Sequence, residues 1–415
     1  MQRTDATTRT TRRGAVSAIA GALCLTAAAL TAAPAAAQNE NCRNTGSFDR
    51  WMAEFKAEAR ASGISERTIS ASLNGIAFAP DIVQKDRRQS VFSQSFLEFA
   101  GRMVARYRLD HGRNNLKKYA KTFAAIERQW GVPGPVIAAF WGLETDFGAN
   151  TGDSPVLRSL ATLAYDCRRP ELFREHLMDA LRIVERGDLA PSEMIGAWAG
   201  ELGQTQFMAS DYYHRAVDFD GDGKVNLIKS TPDALASAGK LLSTFGWRRG
   251  EPWLEEVRVT RDLNWDQADL SIKHARKDWA AAGITRRDGG ALTADALPAS
   301  LLLPMGRNGP AFLAYPNFDI YLEWNQSYVY CLTAAYFATR LAGAPPVSKG
   351  RAAVQHLSVG QIKDLQTRLS RQGYDVGGVD GTIGEKTRAA VKAVQLKLGL
   401  PADSYPTAEL LQRLR

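Results

Sequence analysis

The run from Val132 to Gly148 constrains this chain more tightly than any other stretch. Pro133 and Pro135 open it, Gly148 closes it, and nearly every position between is apolar. Proline near the first helical position and glycine just past the last punctuate a helix of about four turns. Glu144 interrupts the apolar run. Three, four and seven residues before it stand Trp141, Phe140 and Ile137, so its side chain leaves from the apolar stripe and not from a wet face. Burial there disfavours the charged form, and a carboxyl kept neutral near neutral pH can serve as a general acid. A structural glutamate bonded to backbone near a helix end is the plainer reading of the same pattern.

With 415 residues the chain has room for two or three domains and a large core. Residues 1–37 stand apart: Arg3, Arg9, Arg12 and Arg13 precede an apolar run from Ala15 to Leu30, and Ala35-Ala36-Ala37 offers a small-residue cleavage site. This is the pattern of a secretory signal peptide, here read as Sec-dependent although Arg12-Arg13 admits a twin-arginine reading. Leu23 before Cys24 argues against a lipid anchor. No other segment approaches about 20 unbroken apolar residues, so a soluble mature protein is expected. Without the leader, 48 basic and 43 acidic side chains remain, a mild positive charge that suits an anionic polymer. Basic blocks interleaved with aromatics are missing, which argues against nucleic acid as a partner. Cys42, Cys167 and Cys331 allow one disulfide and one free thiol, with three pairings open and no metal-ligand spacing.

From Phe48 to about Trp130 apolar residues recur at three and four, as in helices that bury one face. Ser154-Pro155 starts another helical region, and Glu171 to Arg186 gives an amphipathic helix ended by Gly187. The run Gly196 to Met208 carries glycines at 196, 200 and 203 beside Trp198, Phe207, Gln204 and Gln206. These glycines let a backbone approach something closely, and the two amides offer donors and acceptors. A wall for a sugar and tight packing between two elements remain equally open. Farther on, Glu256–Val259 and Ala299–Leu303 read as strands of a small sheet-bearing subdomain. Trp324 to Tyr330 is dense in aromatics beside Asn325 and Ser327, and leads into a helix through Leu341 that either residue can cap.

Asp218-Phe219-Asp220-Gly221-Asp222-Gly223-Lys224-Val225-Asn226 is the opening of an EF-hand calcium loop, with oxygen ligands at one, three and five and glycine at six. Lys224 stands at the position that lends a backbone carbonyl. Position twelve is Lys229 where a bidentate glutamate is wanted, and Asp233 is the expected substitute. Three carboxylates within five residues repel unless compensated, so a structural Ca2+ site is favoured over an empty acidic turn.

A linker follows at 342–355, rich in glycine and proline. Beyond it, Leu357–Leu369, Lys386–Leu398 and Thr407–Leu414 form a three-helix module of about sixty residues, small enough to be a binding accessory.

Residues 48–341 resemble the lytic murein transglycosylase B family. The resemblance is carried by Gly142-Leu143-Glu144-Thr145, Gly203-Gln204-Thr205-Gln206-Phe207-Met208, the Val217–Gly223 loop, and Asn325-Gln326-Ser327 with Tyr330. Residues 356–414 are similar to the peptidoglycan-binding module of cell-wall enzymes, through Leu365-Gln366, Gly373-Tyr374, Val379-Asp380-Gly381 and Ala390-Val391. The resemblance implies a mainly α (α+β) architecture: a signal peptide at 1–37, a lysozyme-like catalytic domain with a small β-containing subdomain at 38–341, the linker at 342–355, and a three-helix peptidoglycan-binding domain at 356–415. It implies cleavage of peptidoglycan glycan strands without water. Glu144 matches the catalytic glutamate, Gln204, Gln206, Asn325 and Tyr330 fall in the sugar-binding motifs, and Asp218, Asp220, Asp222, Lys224 and Asp233 form the expected calcium set. No cofactor for catalysis is expected, and the protein is expected to be a periplasmic monomer. Asp146 points roughly 200° around the helix from Glu144, so it cannot act as a partner carboxylate. Ala197, Glu201 and Ala209 depart from the family pattern, as do Asp403-Ser404 where the module usually turns on glycine. A Glu201 carboxylate beside the substrate would favour a lysozyme-like hydrolase, and a non-catalytic wall-binding scaffold is the remaining alternative.

Overall fold

The computed structural model describes residues 46–87 and 94–414. The expected leader, Cys24 and Cys42 lie outside these residues. The described chain is mainly helical, with two small antiparallel sheets and three apolar cores. Among the described residues no helix is long and apolar enough to cross a membrane.

The first helix, Phe48–Ala61, follows directly from its sequence. Ser47 accepts a hydrogen bond from the Arg50 amide at its start, and Trp51, Met52, Phe55 and Ala59 bury one face. The helix expected from Glu171 runs Pro170–Arg186 and ends on Gly187 in the left-handed region.

At the centre lies Gly134–Thr145, packed by helices Arg106–Lys118, Ala120–Trp130, Thr231–Thr244 and Tyr328–Leu341. Of its twelve residues only Pro135 and Glu144 escape full burial. The expected apolar stripe is therefore a helix without a wet face, because neighbours surround it, and a helix apolar all round has nowhere to go but the core. Its end also differs from expectation. Gly148 does not stop it; Asp146 (φ 50°) and Phe147 (φ 62°) take the left-handed conformation instead. That conformation costs a non-glycine residue roughly 1–2 kcal/mol, and it is offset locally. Arg108 Nε binds the Asp146 carboxylate at 2.6 Å, and Thr145 Oγ1 accepts from the Gly148 amide at 2.9 Å. At Gly142 a Cβ would sit 2.7 Å from the Phe147 ring and 2.9 Å from that of Phe337, so only hydrogen fits where these helices meet.

Ser154-Pro155 is a two-residue strand paired with Ile195-Gly196, and the helix expected there begins at Val156. The larger sheet has five antiparallel strands in the spatial order His274–Ala275, Pro298–Leu302, Ala311–Ala314, Leu254–Val259, Ile284–Arg286. Its own core gathers Val257, Trp265, Trp279, Leu301 and Leu313.

The C-terminal helices run Val359–Arg371, Glu385–Lys397 and Ala408–Arg413 around Leu365, Leu369, Val391, Val394 and Leu410. Ser358 and Gln361 form a reciprocal capping box at the first of them. Ser404 adopts φ 61°, the left-handed turn for which glycine is usual. Asp403 supports it by accepting from Gln395 Nε2 and the Tyr405 amide through Oδ1, while Oδ2 takes the Arg307 amide of the sheet-bearing part. The segment read as a linker is fastened. Arg351 and Ala352 donate backbone hydrogen bonds to Asn308 O, and a Cβ on Gly350 would sit 2.3 Å from the same carbonyl.

Cys167 is disulfide-bonded, and Cys331 is a buried free thiol. The pairings that involve Cys331 are thereby excluded.

Gly142→Ala improves helix propensity by about 1 kcal/mol yet overpacks the Phe147 and Phe337 rings. A net loss of about 1–2 kcal/mol in denaturant unfolding is expected, and a gain in stability would show that the rings yield freely.

Candidate active site

Glu144 is the one charged residue of the central helix, half-buried near its C-terminal end. Its Oε1 accepts two hydrogen bonds, from Trp324 Nε1 at 3.0 Å and from the Tyr330 hydroxyl. Local geometry explains both. Trp324 closes helix Pro316–Trp324 and stacks on Phe140 with ring centroids 4.4 Å apart. Phe140 is one turn before Glu144, so an indole lying on it reaches the carboxyl with its only polar atom. Phe207, from the glycine-rich run, holds the other side of the indole edge to face at 5.8 Å. Tyr330 comes from the first turn of Tyr328–Leu341, whose start Ser327 caps; Asn325 Oδ1 accepts from the Ser327 amide and shapes the approach. Cys331 Sγ donates to Tyr321 O and Asn325 O, tying the two helices together beneath the site.

Desolvation raises Glu144 above the ordinary carboxyl range, Tyr330 and Trp324 pull against it by stabilising the anion, and the charge of Glu201 adds to the rise. Burial, together with the Glu144 charge, holds the Tyr330 hydroxyl well above its usual range, so it stays a donor. Such a carboxyl is shifted toward its neutral form and supported once ionised.

Gln204 and Gln206, two residues apart in the motif, have parted. Gln204 is buried, and its Nε2 donates to Ile228 O and Thr231 Oγ1, both at 3.2 Å. Expected against sugar, this amide faces inward and braces the loop. Its backbone carbonyl accepts from Thr145 Oγ1 at 2.6 Å, which locks the loop to the end of the Glu144 helix. Gln206, at φ 52°, is half-buried and donates Nε2 to Thr151 O and Gly203 O. The glycines resolve toward packing. A Cβ on Gly203 would lie 2.5 Å from Leu227 O, and the Gln204 amide donates to that carbonyl at 2.9 Å. Tyr330, expected against sugar, holds the catalytic candidate itself.

Glu201 is half-buried, raised by desolvation against the pull of Arg169, and its Oε2 is enclosed without a hydrogen-bond partner. The carboxylate of Asp146, paired with Arg108, is taken by the neighbouring helix. Trp324 is the site residue that motif reading passed over. Its signal was an aromatic N–H beside a helix that carries Phe140 and Glu144 one turn apart. A cavity of about 440 Å³ lined by Glu255, Glu256, Arg287 and Tyr336 contains none of the expected residues.

In the acidic loop, Asp218, Asp220 and Asp222 bring exposed carboxylate oxygens within 4.8 Å of one another. Asp218 takes the Gly221 and Gly223 amides and Asp222 takes that of Lys224, so backbone donors shape the concavity. Asp233 is not part of this cluster. Fully buried, it accepts the Phe219, Asp220 and Asn226 amides, closing the loop's base onto the start of Thr231–Thr244.

The family model for the transglycosylase SLT domain matches residues 47–339, seven-tenths of the chain. The chain belongs to the transglycosylase SLT domain family. A peptidoglycan binding domain model matches residues 358–414. In structure this SLT-family chain is similar to SltB3 from Pseudomonas aeruginosa, solved in complex with NAG-anhNAM-pentapeptide. The TM-score is 0.82 at 38% identity, covering 89% of this chain and 99% of that one. It is also similar to the lytic transglycosylase Slt35 of Escherichia coli, solved in complex with calcium, at TM-score 0.60 and 25% identity over 70% of this chain and 92% of that one. In sequence it is 32% identical over 213 residues to the membrane-bound lytic murein transglycosylase B of Escherichia coli (strain K12). That match takes in 50% of this chain and 57% of the relative, so the chain spans little more than half that relative's length. As an SLT-family member the chain is an enzyme with a lysozyme-like catalytic fold.

Tyr330→Phe removes a donor that stabilises ionised Glu144, so the Glu144 pKa rises further. Carboxyl-carbon NMR of the labelled protein reads this directly, and an unchanged titration would remove Tyr330 from the site's electrostatics.

Proposed function

We propose that the protein cleaves the β-1,4 bond between N-acetylmuramic acid and N-acetylglucosamine of peptidoglycan without water, leaving 1,6-anhydromuramoyl ends. The observation that carries this reading is the single carboxyl of Glu144, shifted toward its neutral form and held by one oxygen only. Protonated Glu144 gives its proton to the glycosidic oxygen as the bond to the muramoyl C1 breaks, and the electron pair leaves with that oxygen. The substrate's own acetamide shelters the cationic carbon. Glu144, now a carboxylate supported by Trp324 and Tyr330, takes the proton of the muramoyl 6-hydroxyl as O6 closes onto C1. The carboxyl ends as it began, which removes the need for the second carboxylate of an ordinary glycosidase. The enclosed Oε2 of Glu201 supports this over the lysozyme-like alternative, since a general base must meet water. Gln206 and Asn325, each with amide atoms beyond their internal hydrogen bonds, are the proposed sugar contacts.

The Asp218 loop is proposed to hold a structural Ca2+ through Asp218, Asp220 and Asp222 with the Lys224 carbonyl. The converging carboxylates fit a hard cation that prefers oxygen. The calcium complex of the related Slt35 supports the same reading. A leader at 1–37, export to the periplasm, a catalytic domain at 38–341, a connector at 342–355, a wall-binding module at 356–415 and action as a monomer complete the proposal.

Mass spectrometry of digested peptidoglycan is expected to find anhydro ends; reducing muramic ends would instead establish hydrolysis. Glu144→Gln abolishes turnover while leaving the fold intact. A carboxyl raised in the folded state contributes stability below its unfolded pKa and loses it as pH rises through the folded pKa. The Gln variant therefore gains in Tm relative to the parent as pH rises through that range. Chelation lowers the Tm and added calcium restores it; a melt indifferent to both would mean that the loop holds no ion.

A further inference from the structure

The Trp324–Tyr330 segment, which supplies both donors to Glu144, is also where the C-terminal module touches the catalytic part. Arg388, on helix Glu385–Lys397 of the module, places its guanidinium 5.5 Å from the Tyr328 ring centroid. The same group donates to Leu303 O at 2.8 Å and to Pro304 O at 3.4 Å, on the far side of the interface. One turn on, Lys392 Nζ binds Asp269 at 2.6 Å, and this carboxylate also faces Tyr328. Tyr328 is therefore bracketed by Arg388 and Asp269, and the module's helix anchors both. Tyr328 is the first residue of the helix whose third residue, Tyr330, binds Glu144.

We propose that Arg388 is a positioning residue for the catalytic acid, holding the Trp324–Tyr330 segment through Tyr328 so that both donors meet Glu144. The inference rests on the function proposed above and deepens it: the module is part of the active site's support as well as a wall-binding accessory. A planar guanidinium can stack on an aromatic face while donating in its own plane to two carbonyls, which an ammonium cannot reproduce. The segment itself is short. Between the two helices lie only Asn325, Gln326 and Ser327, so a shift of Tyr328 passes to Trp324 and Tyr330 with little slack. The groups that face Glu144 are Tyr330, Trp324, Glu201 and Cys331, and those facing Tyr330 are Glu144, Cys331 and Tyr321. None of them belongs to the module, so an effect of Arg388 on Glu144 must travel through the segment.

The test uses the full chain and a soluble muropeptide oligosaccharide. Arg388→Ala is expected to lower kcat roughly tenfold or more with little change in KM, because misplaced donors act in the transition state. Loosening Tyr330 raises the Glu144 pKa, so the alkaline limb of the rate profile moves to higher pH. Arg388→Lys restores part of both. Arg307→Ala removes the side-chain ion pair to Asp403, a module contact remote from Tyr328, keeps the backbone bond to that carboxylate, and leaves kcat and the profile at parental values. Carbon NMR of the Glu144 carboxyl in the same variants needs no turnover, so it judges the positioning role even if the parent makes no anhydro product. An Arg388→Ala protein with parental kcat and Glu144 titration overturns the proposal, as does an Arg307→Ala protein that shifts both equally.

Discussion

Two hydrogen bonds to one oxygen of Glu144 depend on almost everything else in the catalytic part. The carboxyl ends a helix that is buried all round, so its place is fixed by packing and not by its own side-chain partners. Trp324 reaches it only because Phe140 lies one turn below, and Tyr330 reaches it only because Ser327 starts a helix at the right residue. Burial and donation oppose each other at the same atom. That opposition suits a group that must be acid first and base second, since a group pushed to either extreme would fail in one half of the cycle.

Much of this was legible in the chain. The helix, the exceptional carboxylate within it and a cap within Asn325–Ser327 follow from local rules that residues obey wherever they are placed. Where neighbours decide, local rules ran out. The Glu144 helix reads as amphipathic by position, but four other helices cover it, and no pattern within it could announce them. Its end falls on Asp146 and Phe147 because Arg108, far away in sequence, stabilises the turn. Gln204 and Gln206 are two residues apart in an identical chemical guise, and only the backbone bend at Gln206 sends one inward and leaves the other half-open.

The acidic loop separates two jobs that a motif merges. Asp218, Asp220 and Asp222 converge on one point, whereas Asp233 turns both oxygens to backbone amides. The loop's shape is thus set by Asp233 from below, and its charge is presented above. Asp403 in the module follows the same logic: one oxygen builds its own turn, where glycine is absent, and the other reaches across to Arg307.

The connector between the two family matches is pinned by Asn308 to the sheet-bearing part, and Arg351 lies over Trp265 while pairing with Asp262. A flexible tether would let two binding faces search for one polymer independently, with an effective concentration set by its length. A pinned connector removes that freedom. On the function proposed above, the spacing between the module's face and Glu144 is then a fixed ruler, so that the periodicity of a glycan strand, and not the reach of a linker, would decide which bond is presented when both faces are engaged.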